Sequence, residues 1–361
     1  MTSGAIEIDC QPITPIWTGD ADQKGAQLRE AGLIGSLRWW YEAILRGVGF
    51  YACDPTSTGS CVYEESSNFA STCLACQLFG CTGYSRRFRV EIDSGGNSGE
   101  LREVKLANPG NANHRGWWIP QEITKPFRLK IVPLFAVGFD SVVFGFTLRL
   151  IERFGALGAK TSHGQGVVRF DGIPPTLAFA DWQATLTNQQ HQESGQPIGA
   201  PNLGDIVGAS IELAPEAHEW WKNIPLKMDG FRLSDKSNWI PSAPAVRAML
   251  RTELRGSDPK NDPHRNDRHR LMGWVDPKGK QGAKGSNVFV SHLYREQGRW
   301  HMRIFGFVAR SENGADHRVR QLLGDAAGDE LKRNLAKALG LSEKSIVTIA
   351  PYPSKVEDFF S

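Results

Sequence analysis

The hydrophobic and polar positions near the start of the chain predict a strand followed by a helix. Apolar and acidic residues alternate over residues 6–10, which is typical of a half-buried strand. Residues 32–47 instead place Leu37, Trp40 and other apolar side chains at helical spacing. Gly47 is suited to end this helix, because glycine tolerates the backbone conformation of a C-cap.

Further elements continue this pattern to the end of the first half. Strands are predicted over residues 86–93, 126–137 and 167–173, and a helix is predicted over residues 142–154. Residues 51–83, between the first helix and the second strand, show no regular period and are interpreted as an insertion. The resulting order, βαββαβ, predicts an α+β domain of the ferredoxin-like or RRM-like class.

The second half repeats part of this pattern. Residues 243–254 are predicted to form a helix whose sequence AVRAMLRTELR loosely matches SLRWWYEAILR in the first helix, which suggests a degenerate duplication. Two strands follow, over residues 287–293 and 301–308, and then an amphipathic helix over residues 325–339.

These elements divide the chain into two domains of the same class. The first spans residues 1–175 and contains the cysteine-rich insertion at 51–83. Residues 176–205 are rich in Pro, Gln, Asn and Gly and are interpreted as a connector. The second domain spans residues 206–361.

Residues 154–170, FGALGAKTSHGQGVVRF, form a glycine-rich loop between the predicted helix and the last strand of the first domain. Glycines let a backbone approach a ligand closely, successive amides suit an anion, and Lys160 adds a positive charge. The loop lacks the P-loop pattern and does not open a βαβ unit. A phosphodiester backbone is therefore the expected ligand, and the alternative is an ordinary helix cap with a tight turn. The candidate RNA contacts of this loop are Gly155, Gly158, Lys160, Ser162, His163 and Gln165.

Five arginines are further candidates for RNA contact. Arg38 lies on the first predicted helix, where it either meets a phosphate or extends along the protein surface. Arg87 and Arg89 would share the polar face of the second strand, although two acidic residues follow on that face. Arg247 and Arg251 are displaced from the apolar face of the later helix.

Charge is unevenly distributed along the chain. The formal net charge is only +3, but residues 251–303 hold twelve Lys or Arg and six Asp or Glu. A local positive field of this kind attracts polyanions. The alternative is a solvated loop, because residues 257–270 have a loop-like composition.

Five of the six cysteines lie in the insertion. Clustered cysteines in a protein of a reducing compartment favour a metal over disulfides. Cys73 and Cys76 have the spacing of a zinc knuckle, Cys53 and Cys61 are the natural second pair, and Cys81 is expected not to be a ligand. The predicted cofactor is a structural zinc ion, and the alternative is a set of reduced, buried cysteines.

Composition restricts the class of protein. Hydrophobic residues make up 40% of the chain and charged residues 22%, which suits folded domains and not a disordered chain. There is no apolar run long enough to span a bilayer and no secretory signal, so we expect a cytoplasmic protein without membrane contact.

Several of these motifs together resemble one family. They are TPIWTGD, AGLIGSLRWWYEAILRG, YACDPT, CLACQLFGCTGYSRRFRV and RFGALGAKTSHGQGVVRF, with RHRLMGW and GRWHMRIFGF in the second half. This combination is similar to the first subunits of the Cmr complex, which are RAMP-superfamily proteins of type III-B CRISPR systems. The likeness covers most of the chain, and residues 174–235 match least.

The resemblance implies two tandem ferredoxin-like RAMP domains and no catalytic residues. It implies an RNA-binding subunit for antiviral defence that contacts crRNA and target RNA near the 3′ end of the guide, together with other Cmr subunits. Among the basic residues, it points to Arg38 and Lys160 as RNA contacts. A second hypothesis is a metal-independent endoribonuclease that processes crRNA with His163 and Lys160, as in another branch of the superfamily.

Overall fold

The computed structural model describes most of the chain. The described residues are 4–19, 27–66, 68–94, 102–108, 111–119, 123–135, 138–187, 195–215, 226–229, 238–255, 264–275, 283–324 and 328–361. The helices are α1 Glu30–Gly47, α2 Leu74–Phe79, α3 Ser141–Phe154, α4 Phe179–Thr187, α5 Ala243–Glu253, α6 Arg265–Met272, α7 Gly314–Leu323 and α8 Gly328–Ala338. The strands of the first half are β1 Ile6–Pro12, β2 Phe88–Ser94, β3 Arg102–Asn108, β4 Asn111–Ile119, β5 Phe127–Pro133 and β6 Val168–Asp171. Those of the second half are β7 Ile206–Leu213, β8 Leu226–Asp229, β9 Trp239–Ile240, β10 Trp274–Val275, β11 Ala283–Lys284, β12 Val288–Val290, β13 Leu293–Glu296, β14 Arg299–Phe307 and β15 Ile346–Pro351.

The first domain has the predicted ferredoxin-like sheet. Its four strands lie in the order β2-β5-β1-β6, and all neighbours are antiparallel. This is the order that two interleaved split βαβ units produce. Alternation along β2 buries Phe88 and Val90 against the core, as predicted. Helices α1 and α3 pack against each other over this sheet.

The connection from β2 to β5 was not predicted. It contains the hairpin β3–β4, which pairs with β8 of the second half in a sheet of order β4-β3-β8.

The second domain repeats the topology of the first. Its main sheet has the order β15-β7-β14-β13-β9, and β12 also pairs with β14. If β7, β12–β13, β14 and β15 are matched to β1, β2, β5 and β6, both sheets have the same strand order. Helix α5 then corresponds to α1, as the similarity of their sequences predicted. Two tandem ferredoxin-like domains are confirmed.

Two segments of irregular composition contain helices. The connector at 176–205 contains α4, whose Trp182 is 1% exposed and packs on Phe146 of α3. Within residues 257–270, for which a solvated loop is the alternative interpretation, residues from Arg265 onward form α6. Apolar contacts with the rest of the domain outweigh the polar local composition in both segments.

The two domains share apolar contacts. Trp40 of α1 packs against Phe305 and Phe307 of β14. The buried side chain of Arg303 crosses the boundary and donates to the carbonyls of Glu152 at 2.6 Å and Gly155 at 3.1 Å. A cation at these final carbonyls of α3 suits the negative end of the helix dipole.

The last residues of the chain return to the first domain. Phe360 stacks on Phe179 of α4 at 4.3 Å between ring centroids, and Phe359 packs on Phe154. The Tyr352 hydroxyl donates to the Phe154 carbonyl at 2.9 Å. Residues 352–360, here called the C-terminal strap, therefore tie the second domain to α3 and α4.

Among the described residues, the helices are all too short or too polar to cross a membrane.

Candidate nucleic-acid interface and metal centre

The glycine-rich loop is held by close backbone packing. Gly158 has φ +89°, and a Cβ there would lie 2.7 Å from the Trp17 carbonyl oxygen. Gly166 has φ +96°, and its Cβ would lie 2.4 Å from the Leu157 carbonyl oxygen. Both positions therefore need glycine for the fold itself.

The backbone amides of the loop mostly have internal acceptors. The Gly155 amide donates to Ile151, the Gly158 amide to the Ser36 hydroxyl, and the Gly166 amide to Pro15. The amides of Gly155 and Gly158 are thus not available to a phosphate in this conformation. The expectation that they form an anion cradle is corrected, because the sequence shows the donors but not their partners.

The far end of the loop enters the second domain. Gly164 has φ +107°, and a Cβ there would lie 2.3 Å from Nδ1 of His292. The His292 amide donates to the Gly164 carbonyl at 2.9 Å, and the Ala243 amide at the start of α5 lies 3.4 Å from Nδ1. Burial lowers the pKa of His292 to about 3, so the ring is neutral. A neutral histidine thus accepts from one of the unpaired amides that begin a helix.

The polar side chains of the loop are placed differently from one another. Lys160 is half-buried, with its ammonium 4.1 Å from the centroid of the Trp17 ring. Ser162 is half-buried and His163 is exposed. Gln165 is only 2% exposed. Of the loop candidates, Lys160, Ser162 and His163 lie at the surface, and Gln165 belongs to the interior.

A cavity of about 560 Å³ opens between the two domains beside the loop. One wall is α1, a second is the glycine-rich loop, and a third is the segment before β12 in the second domain. Its lining residues include Gly32, Gly35, Ser36, Trp39, Gly158, Ala159, Thr161, Gly285, Ser286 and Asn287. Backbone and small side chains thus form most of the rim.

Aromatic rings form the floor of this cavity. Trp39 meets Trp40, Phe289 and Phe307 edge to face, with centroids 5.0, 5.8 and 5.0 Å away. Trp39 is half-buried, so part of its ring faces the cavity. The sequence contains eleven tryptophans and did not single out this one.

At two glycines on the cavity rim, neither the backbone conformation nor a described neighbouring atom would exclude a side chain. Gly35 lies inside α1 and Gly285 lies before β12, and both are exposed. Neither has a positive φ, and a Cβ at either position meets no described atom within 4 Å. A glycine inside a helix costs about 0.5–1 kcal/mol relative to alanine. Gly32, by contrast, packs on Thr18, whose Cβ would lie 2.8 Å from an added Cβ.

The cysteine cluster lies on the other side of α1. The sulfur atoms of Cys53, Cys61, Cys73 and Cys76 all lie within 4.8 Å of one another, and Cys81 is not in this group. The Cys53–Cys76 sulfurs are 3.4 Å apart and the Cys53–Cys73 sulfurs 3.8 Å. A tetrahedral zinc with Zn–S bonds of about 2.3 Å separates its sulfurs by roughly 3.8 Å. The four predicted ligands therefore fit one metal ion.

Three charged residues of α1 hold the cysteine-rich segment. Arg38 donates to Cys76 Sγ at 3.1 Å, to the Gly80 carbonyl at 2.7 Å and to Glu42 at 2.7 Å. Arg46 donates to the carbonyls of Ala52 at 2.9 Å and Cys53 at 2.7 Å. Glu42 also accepts from Arg46 at 3.4 Å. These three residues, one helical turn apart, are called the α1 ladder below.

The remaining predicted arginines have protein partners. The Arg87 guanidinium lies 4.7 Å from the Tyr84 ring centroid and 5.0 Å from that of Phe69. Arg89 is exposed and pairs with Glu91 at 2.7 Å.

Arg247 and Arg251 serve the interior of the second domain. Arg247 is 3% exposed and donates to the carbonyls of Met272 at 2.7 Å and Val288 at 3.0 Å. Burial lowers the pKa of Arg247 to about 9. Arg251 donates to the carbonyls of Met272 and Gly273 at 2.9 and 2.7 Å. The Arg247 side chain is therefore not accessible to RNA. In the basic region predicted over residues 251–303, residues 256–263 and 276–282 lie outside the described part of the chain.

Comparison with known proteins gives one family and two similar structures. The model of the RAMP superfamily matches residues 9–169. The crystal structure of apo Cmr1 from Pyrococcus furiosus is 12% identical, with 86% of this chain and 92% of that chain covered and a TM-score of 0.38. A cryo-EM structure of Type III-B Cmr-beta, bound to cognate target RNA and AMPPnP, is 11% identical, with coverages of 93% and 99% and a TM-score of 0.43. No curated protein matches the chain significantly. With TM-scores below 0.5, the two likenesses carry no argument about function.

Proposed function

We propose that this chain, whose residues 9–169 match the model of the RAMP superfamily, is a non-catalytic, RNA-binding subunit of a type III-B CRISPR (Cmr) effector complex. Its partners are crRNA, target RNA and the other subunits, and it contacts RNA near the 3′ end of the guide. Contacts to the RNA backbone position the strand, while base pairing between guide and target carries the specificity.

The observation that carries the RNA-binding role is the pair Gly35 and Gly285 on the cavity rim. Neither is required by backbone conformation or by a described neighbour. The absence of a Cβ at these two positions lets a nucleotide backbone pass close against the rim. The half-exposed ring of Trp39 then offers a surface on which a base stacks, a contact that tolerates any sequence.

Charge for the phosphates comes from the loop. Lys160 lies next to Thr161, which lines the cavity. The ammonium over Trp17 is held in place by the ring and keeps its charge at the rim. Ser162 and His163 add polar groups at the same surface. In this proposal the side chains, and not the amides of Gly155 and Gly158, contact the strand.

The residues of the loop support RNA binding better than RNA cleavage. Metal-independent cleavage needs a general base and an acid on the same substrate. The histidine that packs against the loop is His292, and it could not act on a bound RNA together with His163, because it is 1% exposed and faces the protein interior. Incubation of the purified chain with repeat RNA tests the nuclease hypothesis. Cleavage that is lost in His163→Ala would overturn the non-catalytic assignment.

The four-cysteine cluster is proposed to hold a structural zinc ion. Four thiolates are a donor set that zinc prefers, and they leave no open position for a reacting water. The ion would fix the irregular part of the insertion to α1, beside the apolar anchors Leu74, Leu78 and Phe79 of α2.

A substitution at Gly35 tests the RNA-binding role. Gly35→Ala should raise the free energy of unfolding by about 0.5–1 kcal/mol, because alanine is the better helix former. The same change should weaken binding of a single-stranded RNA several-fold, and Gly35→Leu should weaken it at least tenfold. Fluorescence anisotropy with a labelled RNA and denaturant unfolding measure the two effects.

Gly328 at the start of α8 provides the matched control. An added Cβ there also meets no described atom within 4 Å, and Gly328 is not among the residues lining the cavity. Gly328→Ala should leave RNA affinity unchanged. If Gly35→Leu is stably folded and binds RNA like the wild-type chain, the cavity is not the RNA site.

A further inference from the structure

The α1 ladder connects the cysteine cluster with the cavity. Arg38 holds the end of the insertion at Cys76 and Gly80, and Arg46 holds its beginning at Cys53. Glu42 accepts from both arginines, so the three side chains act as one unit. All are largely buried, with side-chain exposures of 15%, 4% and 1% from Arg38 to Arg46.

The ladder also fixes the part of α1 that lines the cavity. Arg38 lies next to Trp39 in sequence and in the same helical turn as Ser36. Ser36 accepts from the Gly158 amide at 3.0 Å and so joins α1 to the glycine-rich loop. A shift of Arg38 along or around the helix axis therefore moves Trp39, Ser36 and the loop together.

Geometry makes this connection depend on the metal. Arg38 bonds the sulfur of Cys76, one of the four proposed ligands, and Arg46 bonds the carbonyl of Cys53, a second one. A divalent ion binds four thiolates, and the centre then carries a net charge of −2. A thiolate is also a stronger acceptor than a thiol for the Arg38 N–H, because charge-assisted hydrogen bonds are about twice as strong as neutral ones.

We propose that Arg38 is a positioning residue through which the metal centre sets the RNA affinity of the cavity. A bound ion fixes the Cys76 sulfur among its ligands, Arg38 is held against that sulfur, and α1 is fixed with Trp39 and Ser36 in the geometry that binds RNA. This inference rests on the proposed function, because it needs both the metal and the RNA.

The full chain tests this proposal in its zinc-loaded and zinc-stripped states, under reducing conditions. Zinc content is measured directly, folding by circular dichroism, and affinity for a labelled single-stranded RNA by anisotropy. The loaded wild-type chain should bind RNA at least fivefold more tightly than the stripped chain. Arg38→Met should bind equally weakly in both states.

Arg128→Met is the matched control, because Arg128 is an exposed arginine of the same domain that pairs with Asp9 and not with a cysteine. It should keep the wild-type ratio. A second readout is the alkylation rate of Cys76 in the zinc-loaded chain, which should rise several-fold in Arg38→Met because the N–H···S bond is lost. An unchanged rate together with a preserved affinity ratio would overturn the proposal.

Two outcomes separate this inference from the proposed function. A wild-type chain that binds no zinc, or no RNA, contradicts the proposed function itself. A chain that binds both, with equal RNA affinity in the two states, contradicts only the link through Arg38. If stripping unfolds the chain, zinc-loaded Arg38→Lys decides, because lysine keeps the charge but cannot bond Cys76, Gly80 and Glu42 together. Weaker RNA binding at full zinc content supports the link, and unchanged binding overturns it.

Discussion

The two domains share a sheet order but hold their first helix in different ways. In the first domain, Arg38 of α1 bonds the Cys76 sulfur and the Gly80 carbonyl before β2. In the second, Arg247 at the matching position of α5 bonds the Met272 and Val288 carbonyls around the start of β12. The duplicated arginine thus clamps the segment between helix and strand in both copies.

What fills that segment differs between the copies. In the second domain it includes α6, whose Leu271 and Met272 are buried at 0% and 1% exposure. Arg247 and Arg251 donate to carbonyls at the end of α6, which suits the negative end of the helix. The first domain has instead a largely irregular, cysteine-rich segment with the short helix α2. A helix anchored by two buried apolar residues and a cysteine cluster that could hold a metal ion are therefore two ways to order the same connection.

Removal of the metal should give the largest difference between the domains. Cys73→Ser should lose the zinc and, with it, most of the order of residues 51–83. Structural zinc contributes about 10–16 kcal/mol of binding free energy in zinc-finger peptides, which is comparable to the stability of a domain. Zinc content and limited proteolysis followed by mass spectrometry measure the effect, with cleavage expected in the insertion first.

Cys81→Ser is the control for this prediction, since Cys81 lies outside the group of four. It should retain zinc and resist proteolysis like the wild-type chain. Equal loss of zinc in both variants would mean that the ligand set is different.

Loss of the arginine clamp in the second domain should have a smaller effect. Arg247→Met removes hydrogen bonds to the carbonyls of Met272 and Val288, which still accept from Arg251 and Ser286. Each lost hydrogen bond from a charged donor contributes about 1.5–3 kcal/mol. We expect the free energy of unfolding to fall by about 2–4 kcal/mol in denaturant titration. Arg299→Met is the control, because Arg299 is exposed and pairs with Glu212, and such pairs contribute about 0–1 kcal/mol. Similar losses in both variants would contradict a buried clamp.

Acid should affect the contact between the domains through His292. Its pKa is lowered to about 3 by burial, so the unfolded chain takes up this proton near pH 6.5 while the folded chain does not. Stability is therefore fully present above about pH 6.5 and is lost as the pH falls toward 3. Between pH 6.5 and 5 the loss is about 2 kcal/mol from this group.

The pH effect is measured by denaturant unfolding across this range. His163 of the glycine-rich loop acts in the same direction, because desolvation lowers its own pKa to about 4. His292→Gln should have the shallower pH dependence even if it is less stable at pH 7. If the free energy of unfolding depends on pH in the same way in the wild-type and His292→Gln chains, His292 is not the group that causes the loss of stability in acid.

Much of the fold could be predicted from periodicity. The βαββαβ order, α1, α3 and α5 all followed from apolar spacing, and the four clustered cysteines from their position in one short segment. The hairpin β3–β4 and helix α4 could not be predicted in this way, because their pairing or packing depends on distant parts of the chain.

The candidate site was less predictable. The cavity walls come from residues as far apart in sequence as Gly35 and Gly285, and nothing local relates the two. An added Cβ at either glycine would meet no described neighbour. This can be seen only in the folded chain and not in the sequence. Arg247 shows the opposite problem, since its charge is visible in the sequence and its burial is not. The identity of the metal and the RNA contacts remain predictions.

The C-terminal strap has a consequence for synthesis of the protein. The apolar surface of α3 and α4 that Phe359 and Phe360 cover is synthesised before the second domain, whereas Phe359 and Phe360 are synthesised after it. While the second domain is being translated, that surface is open to other chains or to a chaperone. The first domain therefore acquires its final surface only when translation reaches residues 352–360.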